Sequence, residues 1–367
     1  MNDMRSGTSA HLWIVALALA AALSRAAAAD DQQVCLKGSQ ETAAATIAAC
    51  TRAIESGDYS DRRLSKLYHQ RGYSSSWTND ADRVDRAFKD YTEAIRIDPK
   101  AADSLLNRSH IYNQRHDYDR AIADANQAFE SGLSHYGKQV GYGERGYAYQ
   151  AKGDNDRAIA DYTSSIQLDA NNKATLITRG NAYWAKGDLD RAIADYDEAI
   201  ALDPKYALAY YNRATAYRAK GDLDRAIADS SQAIALYPRY RDAYYNRAYA
   251  YQAKGDLERA IADYDQMTAL DPKDNDARSN RAKAYWSKGD FRHAIADSDP
   301  GQVSSWLATA VFLAAAAWLC RRLGMQARGR FSGRTMVEIC EQEVAEMQRK
   351  NAALEKIAVA LEKRSLG

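Results

Sequence analysis

No excess of one charge sign marks this chain: 50 Lys and Arg stand against 49 Asp and Glu in 367 residues, a formal balance of +1. A nucleic-acid binder displaces phosphate counterions with a positive stripe, and the even mixture of signs provides none. Protein, peptide or sugar partners fit this balance. The six histidines, His11, His69, His110, His116, His135 and His293, never fall at His-x-x-x-His spacing, and the four cysteines never at Cys-x-x-Cys, so a zinc signature is missing. Each Lys-Gly-Asp lacks the further glycines and the Lys-Ser/Thr of a phosphate loop, and no Gly-x-Ser-x-Gly elbow occurs. Carboxylates are many but periodic, as surface and capping residues are. Neither an enzyme activity nor a cofactor or metal is expected.

What is present divides by composition. Residues 1–29 combine Arg5, the apolar run Leu12 to Leu23 and the small residues Ala26 to Ala29, the pattern of a secretory signal peptide. The run falls short of the ~20 residues that span a bilayer. Residues 30–64 read as a helical hairpin holding Cys35 and Cys50, a disulfide pair if the segment reaches an oxidising compartment.

Lys-Gly-Asp then recurs at Lys152, Lys186, Lys220, Lys254 and Lys288, every 34 residues. Within the copy Ala207 to Tyr240, Tyr210 and Tyr217 flank the small Ala214 on one helical face. Gly221 ends that helix and Asp222 caps the next, which presents Ala226 and Ala233 inward and stops before Pro238. Small pairs recur at Gly146 and Ala158, Gly180 and Ala192, Ala248 and Ala260, Ala282 and Ala294; large partners recur at Tyr149, Tyr183, Tyr251 and Tyr285, with Tyr162, Tyr196 and Tyr264 on the second helix. Most of the 25 tyrosines are thus core spacers. Copies starting at Gln139, Lys173, Ala207 and Arg241 are full length; those starting near Ser65 and Ala102 carry three extra residues, and the one starting at Asn275 stops at Pro300. Arg191 with Asp195, and Arg225 with Asp229, stand at ion-pair spacing on the second helix and read as solvated or inter-helix structural contacts, not as a site.

A period of ~34 residues with this helix-turn-helix pattern resembles the tetratricopeptide repeat family. The resemblance implies an all-α, right-handed α-α superhelix over residues 65–299, with about six and a half repeats and a concave groove. It also implies that the inner face of each first helix binds the ligand, through Trp184, Tyr211, Asn212, Tyr245, Asn246, Tyr249, Asn280, Lys283 and Trp286. The family's clamp for a terminal carboxylate needs basic residues where this chain has Leu208, Asp242 and Asp276, which counts against that ligand class. Capture of a protein or peptide segment is the leading expectation. Handling of carbohydrate, with Tyr and Trp stacking on sugar rings, is the alternative.

Residues 303–320 carry no charge and are apolar on every side of a helix, long enough to read as a transmembrane helix. Asp297 and Asp299 precede this segment, whereas Arg321, Arg322, Arg328, Arg330 and Arg334 follow it in the basic stretch 321–335. The positive-inside rule then leaves the C-terminus cytoplasmic and the repeats on the outer, periplasmic side of an inner membrane. Over 336–364, Val337, Cys340, Val344, Met347, Asn351, Leu354, Ala358 and Leu361 alternate in steps of three and four, as in a short coiled coil that would pair two copies, or an amphipathic helix.

Overall fold

The computed structural model describes residue 27 and residues 29–298. Among them every regular element is a helix. In the first half of the chain these are α1 (29–36), α2 (Ala43–Glu55), α3 (Asp61–Ser76), α4 (Arg83–Ile97), α5 (Ala102–Gln114), α6 (Tyr118–Glu130), α7 (His135–Ala151), α8 (Asn155–Leu168), α9 (Lys173–Ala185) and α10 (Leu189–Leu202). There follow α11 (Ala207–Ala219), α12 (Leu223–Leu236), α13 (Arg241–Ala253), α14 (Leu257–Leu270), α15 (Asn275–Lys288) and α16 (Phe291–Asp297). The chain divides between Leu202 and Asp203 into two compact units. Each is a solenoid of antiparallel helix pairs. The predicted signal peptide lies almost wholly outside the described residues, and the predicted membrane span 303–320, the basic stretch 321–335 and the helix 336–364 lie wholly outside them. Among the described residues no helix is long and apolar enough to cross a membrane.

The repeat chemistry works as its sequence predicts. Gly221 takes φ +80°, a left-handed conformation that ends α11 and that a side chain would resist. The Asp222 carboxylate then accepts from the Arg225 backbone N–H at the start of α12. Ala214, Ala226 and Ala233 are fully buried, so the two helices meet backbone to backbone. Where glycine replaces alanine the approach is closer still: a Cβ on Gly180 would lie 2.6 Å from Tyr196 Cε1.

Of the residues at ion-pair spacing on the second helix, it is the aspartates that make inter-helix contacts, and with other arginines than the ones four residues away. Arg191 turns back to Asp188 and Arg225 to Asp222, the capping carboxylates three residues earlier. Asp195 and Asp229 instead face the first helix of their own repeat, each gripped in fork geometry by Arg179 and Arg213. The same bond recurs as Arg71 with Asp90, Arg108 with Asp124, Arg145 with Asp161, Arg247 with Asp263 and Arg281 with Asp297. The carboxylate is buried, and a buried charge persists only when paired, so the arginine one helix back wins over the one four residues away.

The capping carboxylates make stability sensitive to acid. Hydrogen bonds from the Arg191 and Arg259 side chains, and then from their backbone N–H groups, hold Asp188 and Asp256 below the usual carboxylate value; at Asp154 the Arg157 backbone N–H leads. A depressed native pKa stabilises the fold above the unfolded value of about 3.9, and that contribution is lost as pH falls through the lower native value. Tm followed by circular dichroism is expected to hold from about pH 7 to 5 and to drop below about pH 4. An unchanged Tm at pH 3 would contradict this.

At the N-terminus a disulfide joins Cys35 to Cys50, with Cα atoms 4.8 Å apart, and ties α1 to α2. Both cysteines are fully buried against Ala49, Ala53 and Leu67. Closing a loop of that length stabilises by about 3 kcal/mol in the chain-entropy model. Two first helices start earlier than their period suggests, α3 at Asp61 and α7 at His135. The last described helix, α16, is seven residues long.

Candidate functional site

In the second unit α11 packs on α13 as well as on its partner α12, whereas α12 and α14 make no comparable contact. First helices that lie nearer to one another than second helices bend the stack toward themselves. Their outward side chains therefore line a concave face.

The structure gathers several of the predicted residues around one irregular position on that face. Second helices carry Tyr162, Tyr196 and Tyr264 at equivalent places, each almost fully buried, but the copy between the last two has Ser230 there. With no ring to fill the space, Asn246 sinks in from α13 until it is 2 % exposed, and its Nδ2 donates to Ser230 Oγ at 3.2 Å. Asn246 Oδ1 is left buried with no hydrogen-bond partner among the described residues. Its counterpart Asn280, one repeat on and opposite Tyr264, stays half-buried. Tyr249, three residues along α13 from Asn246, is 47 % exposed, and the Arg218 guanidinium carbon lies 4.7 Å from the centre of its ring. Arg218 has no carboxylate partner among the described residues.

Tyr211 is half-buried and stacks at a tilt on Tyr240, with ring centres 5.1 Å apart; burial, followed by the charge of Asp242, pushes its phenol pKa up. Tyr245 is half-buried against the Tyr264 cluster, and Asn212 is half-buried. One repeat further, Lys283 Nζ reaches Asn280 Oδ1 at 3.4 Å and Trp286 meets Phe291 edge to face at 4.8 Å. Trp184 belongs to the first unit, where it is 44 % exposed. Sequence reasoning missed Arg218 and Ser230. The signal was available, since Ser230 is the break in a tyrosine column of period 34 and Arg218 stands where neighbouring copies have Gln252 and Trp184. No group of three or more His, Cys, Asp or Glu among the described residues is arranged to hold a metal ion.

Family models described as tetratricopeptide repeat match residues 141–172, 211–275 and 245–299, and one described as TPR repeat matches 180–217. Residues 141–299 thus carry tetratricopeptide repeats, the class that their helix pairs and periodic small residues define. Among solved structures it is similar to a tetratricopeptide repeat protein from Parabacteroides merdae ATCC 43184, 19% identical over 64% of this chain and 90% of that one, with a TM-score of 0.51. It is also similar to a chain of the APC/C hetero-tetramer Cut9-Hcn1, 18% identical over 66% of this chain and 52% of that one, TM-score 0.50. These two likenesses are of fold. MamA is 32% identical over 41% of this chain and 89% of its own, TM-score 0.40. No curated protein matches the chain.

Proposed function

We propose that this protein is a non-enzymatic scaffold that holds a segment of another protein against the first helices of its second unit. The observation that carries this reading is an exposed pair on that face: the Arg218 guanidinium, with no carboxylate partner among the described residues, over the Tyr249 ring, which is 47 % exposed. A guanidinium free of carboxylates can take a carboxylate or carbonyl of a ligand in fork geometry, and the exposed ring beside it offers apolar surface to the same ligand. The reading extends to location: a repeat domain exported to the periplasmic side, held by the single span 303–320, with the tail 336–364 in the cytoplasm and able to pair two copies. The apolar leader, the arginines after the span and the Cys35–Cys50 disulfide all support this topology.

A photoreactive amino acid in place of Tyr249, in whole cells, tests the function. A discrete protein adduct is expected, lost when Arg218→Ala is introduced. A glycan adduct, or none, would reject protein capture. Reporters fused at 290 and 335 test the topology, the first expected to be active only in the periplasm and the second only in the cytoplasm.

A further inference from the structure

Three residues absent from the regular repeats lengthen the turn from α3 to α4: it runs over six residues, 77–82, where the turn from α9 to α10 takes three, 186–188. Beside it, in the first unit, opens a cleft of about 280 Å³ between α3, α4 and α5. Small-molecule sites usually begin at about 300 Å³, so the cleft suits one ring and little more.

Its wall is aromatic. Tyr73 on the last turn of α3 and Trp77 just after its end are 39 % and 44 % exposed, and meet edge to face with ring centres 5.9 Å apart. An edge-to-face contact covers at most one face of a ring, so Trp77 keeps a flat apolar face without a ring against it. The opposite rim is polar and braced. His110 Nδ1 bonds Glu144 Oε1 at 2.9 Å, Asn113 Nδ2 donates to Glu144 Oε2 at 2.8 Å, and Gln114 Nε2 sits 2.9 Å from His110 Nε2. Elsewhere in the lining, the Asn107 side chain has no hydrogen-bond partner and Arg83 no carboxylate partner among the described residues. The other charges near the mouth cancel in pairs: Arg86 with Asp80 and Asp82, and Arg115 with Asp85.

We propose that this cleft binds an uncharged pyranose ring of a saccharide. A pyranose has a C–H face that lies against an aromatic ring and a fringe of hydroxyls that both donate and accept. The cleft lining holds both kinds of group: the Trp77 ring, and with it the amide of Asn107 and the guanidinium of Arg83. An extended peptide would need backbone partners along several successive repeats, and this cleft reaches only from the α3–α4 pair to the first helix of the next repeat. The site is independent of the face around Ser230, and either can fail alone.

The test uses the full chain, immobilised, against an array of uncharged hexose and N-acetylhexosamine oligosaccharides, with uronate oligosaccharides and peptides beside them. Uncharged oligosaccharides are expected to be retained equally in about 0.05 and 0.5 M salt. Trp77→Ala should weaken retention about tenfold, the loss of one aromatic contact. Asn107→Ala, which removes no ring from α3, should weaken it severalfold with an unchanged circular dichroism spectrum. Retention of no uncharged sugar, capture of peptides or uronates alone, or full binding by both variants would overturn the assignment.

Discussion

Replacing Tyr264 with alanine is expected to destabilise the second unit by about 4 kcal/mol, the cost of emptying a large, fully enclosed aromatic position. The ring is 1 % exposed and packs among Ala248, Ala260, Met267 and Ala277, and its hydroxyl donates to Gln252 Oε1 at 3.2 Å. Tyr264→Phe keeps the packing and gives up only the hydrogen bond, so about 1 kcal/mol should be lost. Urea denaturation gives both values. Hydrogen exchange shows where the loss falls, with α14 and α15 expected to lose protection first, because a repeat leans only on its neighbours. A cost for Tyr264→Ala below about 1.5 kcal/mol would mean that the site collapses freely, as it does around Ser230. There the chain already contains the truncated form, and the response is visible: Asn246 moves into the gap and leaves its oxygen without a partner.

The helix pairs were legible because they rest on local rules that a period repeats. Glycine at the left-handed position, aspartate after it, alanine at the crossing and tyrosine beneath it each act within one repeat, so reading five copies amounts to reading one rule five times. The arginine ladder was harder. Arg179 and Asp195 stand sixteen residues apart across a turn, and a pairing rule confined to one helix assigns the aspartate to Arg191 instead. Only burial decides between them, and burial depends on the second helix's rotation against the first. The candidate face was legible by residue type and not by arrangement: Asn212, Asn246 and Asn280 look alike in the sequence, yet only Asn246 is sealed in, because what lies opposite it is serine and not tyrosine. The cleft at Trp77 was invisible for a different reason, since an insertion breaks the very period by which everything else was read.

Removing Arg247 is expected to cost about 3 kcal/mol. Arg247 Nε and Nη2 donate to the two oxygens of Asp263 at 2.9 and 2.7 Å, and Nη1 donates to Ser231 Oγ at 3.0 Å. The Asp263 side chain is 5 % exposed and that of Arg247 20 %. Arg247→Ala therefore strands a carboxylate that water reaches poorly. Replacing both partners, as Arg247→Leu with Asp263→Leu, removes the stranded charge together with the bond, and most of the loss should return. The pH dependence separates a stranded charge from mere loss of packing. Burial already pushes the Asp263 carboxyl up, against the pull of Arg247; without the arginine only the upward push remains. A native pKa above the unfolded value favours the protonated form, so the penalty in Arg247→Ala is full at neutral pH and shrinks as pH falls through the raised value. Measured against the parent protein at each pH, the deficit should be smaller at about pH 4.5 than at pH 7. A deficit that stays constant would assign the arginine's role to the packing of its methylene stem, and the recurring pairs would then be fillers between helices that happen to be charged.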